Sequence, residues 1–496
     1  MITRVLVANR GEIAVRIMRA CDELGIDTVA VYSDADAHAP HVRAARHAVR
    51  LGPASPSESY LAIGALIDAA RTTGADAVHP GYGFLAENAG FAAACQDAGL
   101  VFVGPPAEAI AAMGSKIAAR RAMQQAGVPV VPGETPADQS DASLVAAAGR
   151  AGYPLLVKAS AGGGGKGMRI VRGEGELAVA IAGARHEARA AFGDDTLYVE
   201  RLVPHPRHVE IQVLSDHHGH VVHLFERDCS TQRRHQKVIE ESPSPALTPG
   251  LRARMGEAAV AAARAVGYRN AGTVEFLLEG AGDEARFYFL EMNTRLQVEH
   301  PVTEAVTGVD LVQAQLRVAG GFPLPWRQDD LQQRGHAIEC RVYAEDPASG
   351  FLPQAGRILL YRAPQRPGIR VDAGVESGSD VSVHYDPMIA KLIAHAETRD
   401  AAIARAIAAL SEFDVLGLAT NISFLIGVLD SRPFRHGAID TAFLDGEGAA
   451  LIAPAPLPSA ALAAAVVHEE RTGGASADGP DRRTPDPWGT LQGWRG

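Results

Sequence analysis

The chain has 496 residues, of which 47% are hydrophobic, and this is too much sequence for one simple core, so we expect roughly two to four domains. The formal net charge of -11 argues against a broad nucleic-acid-binding surface but is compatible with a local basic pocket for an anion. The four cysteines lie far apart and form no C-x-x-C pair, which disfavours a disulfide framework or a zinc site and indicates buried free thiols in a reducing compartment.

The N-terminal segment MITRVLVANRGEIAVR leads directly into a strand pattern and lacks the apolar core of a signal peptide. No apolar run approaches the length of a membrane span. We therefore expect a cytoplasmic protein that binds neither a membrane nor a nucleic acid.

Residues 1–112 alternate short apolar runs with helical patterns. The runs RVLVA, TVAVYS, DAVHP and LVFVG predict buried strands. A helix is predicted from about Glu12, because Ile13, Ile17, Cys21 and Leu24 recur at helical spacing. Strands separated by helices are typical of a doubly wound parallel sheet, so we expect an N-terminal α/β domain. The turn ANRGEI lacks G-x-G-x-x-G, and a dinucleotide site is not supported.

Residues 113–203 form a second predicted unit, with the helix KIAARRAMQQAG and the strands PLLVKA, MRIVR and YVERLV. The loop SAGGGGKG joins the first two of these strands, and its backbone amides could form an anion nest because glycines leave them accessible. Lys158, at the end of the strand before the loop, favours phosphate binding over a simple flexible hairpin. A Walker A loop is a poor match, because no Ser or Thr follows Lys166.

Residues 204–446 are richer in strands and predict an α+β unit. The segment HVEIQVLSD alternates strictly, with His208, Glu210 and Gln212 on one face and valine or isoleucine on the other. A later hairpin pairs GTVEFLLEG with RFYFLEMN about the turn GAGDEA, which sets Glu275 opposite Glu291.

Two carboxylates directly opposite each other in a sheet repel, and a shared divalent cation would remove that penalty. Carboxylates combined with nucleotide phosphates suit Mg²⁺, and Asn293 lies on the same face as Glu291. An exposed polar sheet face is the alternative, but the neighbouring residues of this hairpin are strongly apolar.

Two polar segments are candidates for binding an anion beside this metal site. In NTRLQVEH, Asn293, Arg295, Gln297 and Glu299 occupy alternate positions, and in an extended chain a guanidinium, an amide and a carboxylate base would project together. The segment ERDCSTQRRHQKV concentrates five cationic or titratable side chains. This local excess is compatible with an anion pocket and equally with a solvated basic face. The five residues are Arg227, Arg233, Arg234, His235 and Lys237.

Taken together, these segments resemble the biotin carboxylase family from Arg4 to about Leu444. The motifs that carry the resemblance are NRGEIAVR, HPGYGFLAEN, KASAGGGGKGM, RHVEIQV, ERDCSTQRRHQKVIEESPSP, FLEMNTRLQVEH and RVYAEDP, in this order and spacing. The resemblance implies an ATP-grasp architecture with an N-terminal doubly wound parallel-sheet domain, a small lid domain and a larger C-terminal catalytic domain. It also implies a MgATP-dependent ligase that activates bicarbonate through carboxyphosphate and carboxylates carrier-bound biotin.

The resemblance assigns a role to each matching position. The residues implied to bind ATP are Lys116 and Lys158 at the phosphates, the loop glycines Gly164 and Gly165, Glu200 and the backbone of Leu202 at adenine, and His208, Gln232 and His235 in the ribose and phosphate region. Those implied to bind Mg²⁺, with Mn²⁺ as an alternative ion, are Glu275, Glu291 and Asn293, and those for bicarbonate are Lys237, Arg295, Gln297 and Val298. Glu299 would be the general base, Arg341 would stabilise the biotin enolate, and Tyr82 would lie beside biotin.

The resemblance further implies a homodimer and two partners, a biotin carboxyl carrier domain or protein and a carboxyltransferase subunit. None of the eight methionines is followed by lysine, so the A-M-K-M context of a biotinylated carrier is missing and we expect biotin to be attached to a different chain. Residues 447–496 have the composition of a linker or tail. Their end, PWGTLQGWRG, resembles the start of the subunit-tethering region of bacterial acyl-CoA carboxylase alpha subunits.

Two other functions remain open at this point. One is another ATP-grasp ligase that forms an acyl phosphate, such as half of a carbamoyl-phosphate synthetase or a D-alanine–D-alanine ligase. The other is a nucleotide-binding regulatory module without catalysis. The segments R-x-Q-x-E-H and HQKV favour bicarbonate and biotin over both. The final acceptor stays open among acetyl-CoA, propionyl-CoA, other acyl-CoAs, pyruvate and urea.

Overall fold

The computed structural model describes residues 2–160 and 168–452, together with residue 467. The predicted ATP-binding glycines Gly164 and Gly165 lie outside the described residues, as does the tryptophan-containing segment 487–496. Among the residues described, no helix is both long and apolar enough to cross a membrane. All four cysteines fall within the described ranges, and each is buried and unpaired, as predicted.

The first five strands form a parallel sheet with helices on both faces. The strands are β1 (Arg4–Val7), β2 (Asp27–Ser33), β3 (His47–Gly52), β4 (Ala77–His79) and β5 (Val101–Phe102). The helices are α1 (Gly11–Glu23), α2 (Pro40–Ala44), α3 (Ile63–Thr73), α4 (Ala89–Asp97) and α5 (Ala107–Gly114). On β1, Val5 and Val7 pack in one core with α1, whereas Leu6 packs in another with α3 and α4. The predicted doubly wound parallel sheet is confirmed.

The strand order β3-β2-β1-β4-β5 reverses direction between β1 and β4. In open parallel sheets, ligands bind in the crevice beyond the carboxyl ends of the strands at such a reversal. The loops that follow β1 and β4 meet there, because the Asn9 side-chain amide donates hydrogen bonds to the carbonyl oxygens of Pro80 and Tyr82, both at 2.7 Å. The loop HPGYGFLAEN is therefore fixed at the place where the fold favours a ligand.

A small antiparallel sheet follows, in the order β6-β9-β7-β8. Its strands are β6 (Gly133–Glu134), β7 (Leu155–Ala159), β8 (Arg169–Val171) and β9 (Leu197–Arg201), and its helices are α6 (Lys116–Gln125), α7 (Asp141–Ala151) and α8 (Glu174–Phe192). Leu155 and Val157 of β7 pack with Leu144 of α7 and Ile181 of α8. The predicted helix and strands are present, and β7 and β8 stand on either side of the glycine loop.

The rest of the described chain is built on one large antiparallel sheet, in the order β14-β13-β10-β11-β12-β15-β22-β20. The strands in chain order are β10 (Arg207–Ser215), β11 (Val221–Arg233), β12 (Gln236–Ser242), β13 (Asn270–Glu279), β14 (Arg286–Asn293), β15 (His336–Tyr343), β16 (Glu345–Asp346), β17 (Leu352–Pro353), β18 (Gly356–Arg357), β19 (Leu360–Arg362), β20 (Ile369–Ala373), β21 (Asp380–Val381), β22 (Met388–Ala396) and β23 (Asp414–Leu416). The strands outside the large sheet form two-stranded ribbons.

Helices cover this sheet at both ends. They are α9 (Pro249–Ala265), α10 (His300–Thr307), α11 (Leu311–Ala319), α12 (Arg399–Leu410), α13 (Ile422–Asp430), α14 (Arg432–Arg435) and α15 (Phe443–Glu447). Short 3-10 helices lie at Asp34–Asp36, Pro56–Glu58, Gln328–Asp330, Pro347–Ser349 and Gly448–Leu451. Helix α9 packs on β10 and β11, and α12 packs on β22 and β15.

The predicted alternation of β10 is confirmed, but its polar face is as buried as its apolar face. Val209 and Ile211 pack in the core with α9. On the other face, Glu210 and Gln212 have 0% of their surface exposed. Buried charges require partners, because transfer of an unpaired charge from water costs several kcal/mol per ion. This polar interior face of the large sheet is where the candidate site lies.

Candidate active site

A row of carboxylates crosses the large sheet. Glu291, Glu275 and Glu210 are register partners on β14, β13 and β10, and Glu210 faces Arg227 on β11. The predicted opposition of Glu275 and Glu291 is therefore confirmed. Like charges at cross-strand spacing destabilise a sheet. The row is stable only because cations lie beside it.

Lys237 supplies the central cation. Its ammonium group lies 2.6 Å from Glu210 Oε2, 2.9 Å from Glu275 Oε1, 3.1 Å from Gln297 Oε1 and 2.5 Å from Glu299 Oε1. Burial lowers the pKa of Lys237, but the surrounding carboxylates outweigh burial and raise it well above its usual value. An ammonium group has three N–H donors, so it cannot satisfy four acceptors at once.

Glu299, the predicted base, lies between two cations. Its second oxygen accepts a hydrogen bond from Arg341 Nη2 at 3.0 Å, and Arg341 Nε donates to Glu240 at 2.6 Å. Burial raises the pKa of Glu299, but Lys237 and Arg341 outweigh burial and hold the pKa below the usual value. Glu299 is thus an ionised carboxylate held between two cations.

The segment after β14 brings its side chains together, but not as an extended strand. The strand ends at Asn293, the chain bends at Arg295, and residues 298–299 form a turn before α10. The expectation of extended chain was therefore wrong. The side chains still converge, since Asn293 Nδ2 and Gln297 Nε2 both donate to Glu275 Oε1, at 2.9 and 3.1 Å.

Glu291 differs from Glu275 in having no hydrogen-bond donor among the described residues. Burial and the neighbouring Glu275 raise the pKa of Glu291, and Lys116 opposes this. Burial lowers the pKa of Lys116, and the charge of Lys158 lowers it further. A pair of adjacent carboxylates, one of them unpartnered, fits a hard divalent cation such as Mg²⁺. The two lysines beside the pair are placed to meet phosphate oxygens.

The predicted adenine residues lie on the small sheet. Lys158 on β7 and Glu200 on β9 are diagonal neighbours across the two strands, and they form a buried ion pair. The N–H of Leu202 donates to the carbonyl oxygen of Pro154 at 3.0 Å, which leaves only the Leu202 carbonyl for a base. His208, predicted in the ribose and phosphate region, has Nε2 3.1 Å from Glu275 Oε2. Burial lowers the pKa of His208, but Glu275 outweighs it and the net shift is upward.

The five cationic or titratable residues of ERDCSTQRRHQKV do not line a single anion pocket, so that alternative of the sequence analysis was wrong. Arg234 and His235 have φ of 48° and 66° and form the exposed turn between β11 and β12. Arg233 pairs with Glu345 at 3.1 Å. Gln232, by contrast, is buried next to the turn, in register with Lys237.

Arg227 is a structural ion rather than an anion-binding group. It has no exposed surface and donates to Glu210 at 2.5 Å, Gln212 at 2.8 Å, Thr303 at 2.9 Å and Thr273 at 3.1 Å. Four of its five N–H donors are therefore occupied by protein. Lys237 differs from the other four residues of the segment because its ammonium group lies 2.5 Å from Glu299, the proposed base.

Tyr82, predicted to lie beside biotin, is hydrogen-bonded to helix α1. Its hydroxyl donates a hydrogen bond to Glu12. Burial raises the pKa of Tyr82 well above its usual value, and the charge of Arg341 opposes this rise. Lys391, which the sequence analysis missed, lies 3.1 Å from Glu12 and donates to the Val298 carbonyl at 2.8 Å. A single lysine in the apolar strand MIAKLIAHA was the available signal. Tyr82 is thus linked to the carbonyl of Val298 through Glu12 and Lys391, next to the loop that follows β4.

Family models match nearly the whole described chain. Residues 1–110 match "Biotin carboxylase, N-terminal domain", residues 115–327 match "Carbamoyl-phosphate synthase L chain, ATP binding domain", and residues 339–446 match "Biotin carboxylase C-terminal domain". Biotin carboxylase 1 of Bacillus subtilis is 52% identical over 445 residues, which are 90% of this chain and 98% of that protein. The mitochondrial methylcrotonoyl-CoA carboxylase subunit alpha of rice is 53% identical over 445 residues, but this chain spans only 60% of its length.

A solved structure gives the same result for the fold. It is the biotin carboxylase domain dimer of 2-oxoglutarate carboxylase from Hydrogenobacter thermophilus, in complex with MgADP, ADP and bicarbonate. Its TM-score is 0.86 and its sequence identity 44%, over 92% of this chain and 100% of that one. An ATP-grasp architecture, as predicted, is therefore the fold of this chain.

Proposed function

The chain belongs to the biotin carboxylase family, and we propose that it uses MgATP to activate bicarbonate and then carboxylates biotin. The observation that carries this proposal is the cluster around Lys237, whose ammonium group lies within hydrogen-bond distance of both Glu275 and Glu299. One side of the cluster suits a magnesium–nucleotide, and the other suits a small anion next to a base.

In the first step, Arg295, Lys237, Gln297 and the N–H of Val298 would bind bicarbonate. No acceptor for that N–H is present among the described residues. Glu299 takes the proton of bicarbonate while a bicarbonate oxygen attacks the γ-phosphorus of ATP, so that ADP leaves and carboxyphosphate forms.

The nucleotide side of the cluster handles the negative charge of that reaction. Lys116 and Lys158 neutralise charge on the phosphate oxygens. Glu275 and Glu291, with Asn293 beside them, would hold Mg²⁺, which when bound also neutralises phosphate charge. Carboxyphosphate hydrolyses in open water, so closure of the glycine loop at Gly164 and Gly165 would serve to exclude water.

In the second step, the C–O bond between the carboxyl carbon and the phosphate of carboxyphosphate breaks, the departing phosphate takes the ureido proton of biotin, and the resulting enolate nitrogen bonds to the carboxyl carbon. Arg341 would stabilise the enolate, and its position between Glu240 and Glu299 supports this role. Tyr82 would lie beside biotin.

A phosphate-release assay tests this function directly. The purified chain is incubated with MgATP and bicarbonate, with and without free biotin, and inorganic phosphate is measured. We expect hydrolysis that requires bicarbonate, rises with added biotin and stops when EDTA removes Mg²⁺. Phosphate release that is indifferent to biotin would refute the proposal and favour another ATP-grasp ligase.

The wider setting is also part of the proposal. We infer that biotin arrives on a carrier domain or protein, that a carboxyltransferase subunit consumes carboxybiotin, and that the acceptor is an acyl-CoA, because relatives include alpha subunits of methylcrotonoyl-CoA carboxylase. Co-purification of partner chains, followed by carboxylation assays with several acyl-CoAs, tests this. The cytoplasmic location also remains a prediction, and the rice relative is mitochondrial.

Quaternary structure and domain movement complete the proposal. A homodimer is supported by the dimeric biotin carboxylase domain to which this chain is similar, and sedimentation at twice the monomer mass would support it further. We propose domain limits at residues 112, 203 and 446, with residues 113–203 as a lid. Slower proteolysis of this segment in the presence of MgATP would support the lid.

A further inference from the structure

Glu87, which the sequence analysis did not single out, reaches from the N-terminal sheet to the segment that carries the proposed bicarbonate arginine. Arg295 Nε lies 2.9 Å from Glu87 Oε2, and the backbone N–H of Thr294 donates to Glu87 Oε1 at 3.0 Å. Both oxygens of one carboxylate are thus bound by two consecutive residues. Glu87 comes from the loop between β4 and α4, more than two hundred residues earlier in the chain.

The loop that carries Glu87 is held firmly. The ring of Phe84 stacks on Tyr60 with centroids 4.9 Å apart, and Asn88 caps α4 by accepting a hydrogen bond from the N–H of Phe91 at 2.8 Å. Glu87 lies directly between these two anchors. Its carboxylate is therefore presented to Arg295 from a fixed backbone rather than from a free surface loop.

The donors of Arg295 can be counted. A guanidinium has five N–H groups. Nε donates to Glu87, Nη1 to the Leu296 carbonyl at 3.2 Å and Nη2 to Asn293 Oδ1 at 3.0 Å. Two N–H groups remain, one on each terminal nitrogen, and this is the number that a two-point contact with a carboxylate-like anion requires.

We propose that Glu87 is a positioning residue that holds the Arg295 guanidinium so that its two remaining N–H groups face bicarbonate. The inference rests on the proposed function of this site. The exposed fraction of the Glu87 side chain is 42%, so its charge is screened by water and its effect is orientation rather than attraction. A fixed guanidinium loses less freedom when it binds the anion, which lowers the bicarbonate concentration needed.

The test compares Glu87→Gln and Glu87→Asp with the unaltered protein in the biotin-stimulated phosphate-release assay, varying bicarbonate and ATP separately. For Glu87→Gln we expect KM for bicarbonate to rise about tenfold, the effect of losing one hydrogen bond to a charged group. KM for ATP and the melting temperature should not change. Glu87→Asp keeps the charge with a shorter reach and should restore part of the affinity.

Glu376→Gln is the matched control, because Glu376 also pairs with an arginine of the N-terminal part, Arg43 at 2.5 Å, away from the site. It should leave both KM values unchanged. An unchanged KM for bicarbonate in Glu87→Gln, whatever happens to the melting temperature, would overturn the inference. So would a lower KM, which would mean that Glu87 competes with bicarbonate for Arg295. An unaltered protein without biotin-stimulated activity would instead refute the proposed function itself.

Discussion

Replacement of the proposed base, Glu299→Gln, is the most informative single change in this site. The amide keeps the size of the side chain, but its single oxygen can accept from Lys237 or from Arg341 and not from both, whereas the two carboxylate oxygens accept one hydrogen bond each, at 2.5 and 3.0 Å. The ability to take a proton is lost together with one of these hydrogen bonds. The substitution keeps the shape of the side chain, and a separate measurement of ATP binding checks that the nucleotide side of the cluster stays intact.

The size of the effect follows from the surroundings of Glu299. General-base catalysis contributes about 10²–10⁴-fold to a rate. Even when an anion draws Lys237 away, Arg341 still lies 3.0 Å from the second oxygen of Glu299 and helps to hold its pKa down, so the carboxylate stays a weaker base than an unperturbed glutamate. We therefore expect the lower end of that range, a loss of about 100-fold in kcat. KM for bicarbonate should not rise, because Lys237 and Arg341 lose a neutralising carboxylate in this variant and their positive charge can still attract the anion.

The assay is biotin-dependent phosphate release, with ATP binding measured separately by fluorescence or calorimetry. ATP affinity should stay within about twofold, since the lysines that face the phosphates, Lys116 and Lys158, lie apart from Glu299. The control is Glu241→Gln, a buried carboxylate that accepts from His336 at 2.7 Å and Arg399 at 2.6 Å outside the site. It should lose stability but keep kcat. A Glu299→Gln variant whose kcat stays within tenfold of the unaltered protein would refute the role of Glu299 as base.

Three further predictions follow from the charges of the site. Glu291→Gln should raise the Mg²⁺ concentration for half-maximal activity by at least about tenfold. Its thermal stability in EDTA should not fall, because the substitution removes a buried like-charge contact. An unchanged Mg²⁺ requirement would contradict the metal assignment. Lys116→Met should raise KM for ATP and leave KM for bicarbonate unchanged, and the reverse pattern would place Lys116 elsewhere. Burial raises the pKa of Glu240 from 4.5 to about 7, so the unaltered protein should lose on the order of 3 kcal/mol of stability from this group as pH rises between those values. Glu240→Gln should lack that loss in urea unfolding at pH 5 and pH 8, and an identical pH dependence in both proteins would contradict the argument.

Local sequence rules predicted the parts of the site that lie within one strand or one hairpin. The alternation of β10 placed His208, Glu210 and Gln212 on one face, and turn chemistry set Glu275 opposite Glu291. Both follow from the two-residue period of a strand, which depends only on neighbouring residues. The same reasoning failed after Asn293, because nothing in the spacing of the polar residues distinguishes an extended chain from a bend.

The contacts between distant segments could not be read from the sequence in this way. Three charged residues bind partners that only the folded chain brings near, namely Glu87, Lys391 and Glu240. Each is a single charged residue in a segment without any other distinctive feature. The basic segment illustrates the opposite error. Five cationic or titratable side chains lie close together in the sequence, but the two-residue turn between β11 and β12 separates them in space. Lys237 lies close to the proposed base.

The acidic residues of the site show why residue type alone does not define a role. Glu275, Glu291, Glu299 and Glu240 are the same side chain in one buried cluster, yet cations lower the pKa of Glu275 and Glu299 while burial raises that of Glu291 and Glu240. What distinguishes them is the position of Lys237, which lies within hydrogen-bond distance of Glu275 and Glu299 and contributes three donors to four acceptors. Any anion that draws this ammonium group towards itself must weaken its hold on Glu299 and so make that carboxylate a stronger base. In the proposed function, the arrival of bicarbonate would therefore raise the basicity of the carboxylate that takes its proton.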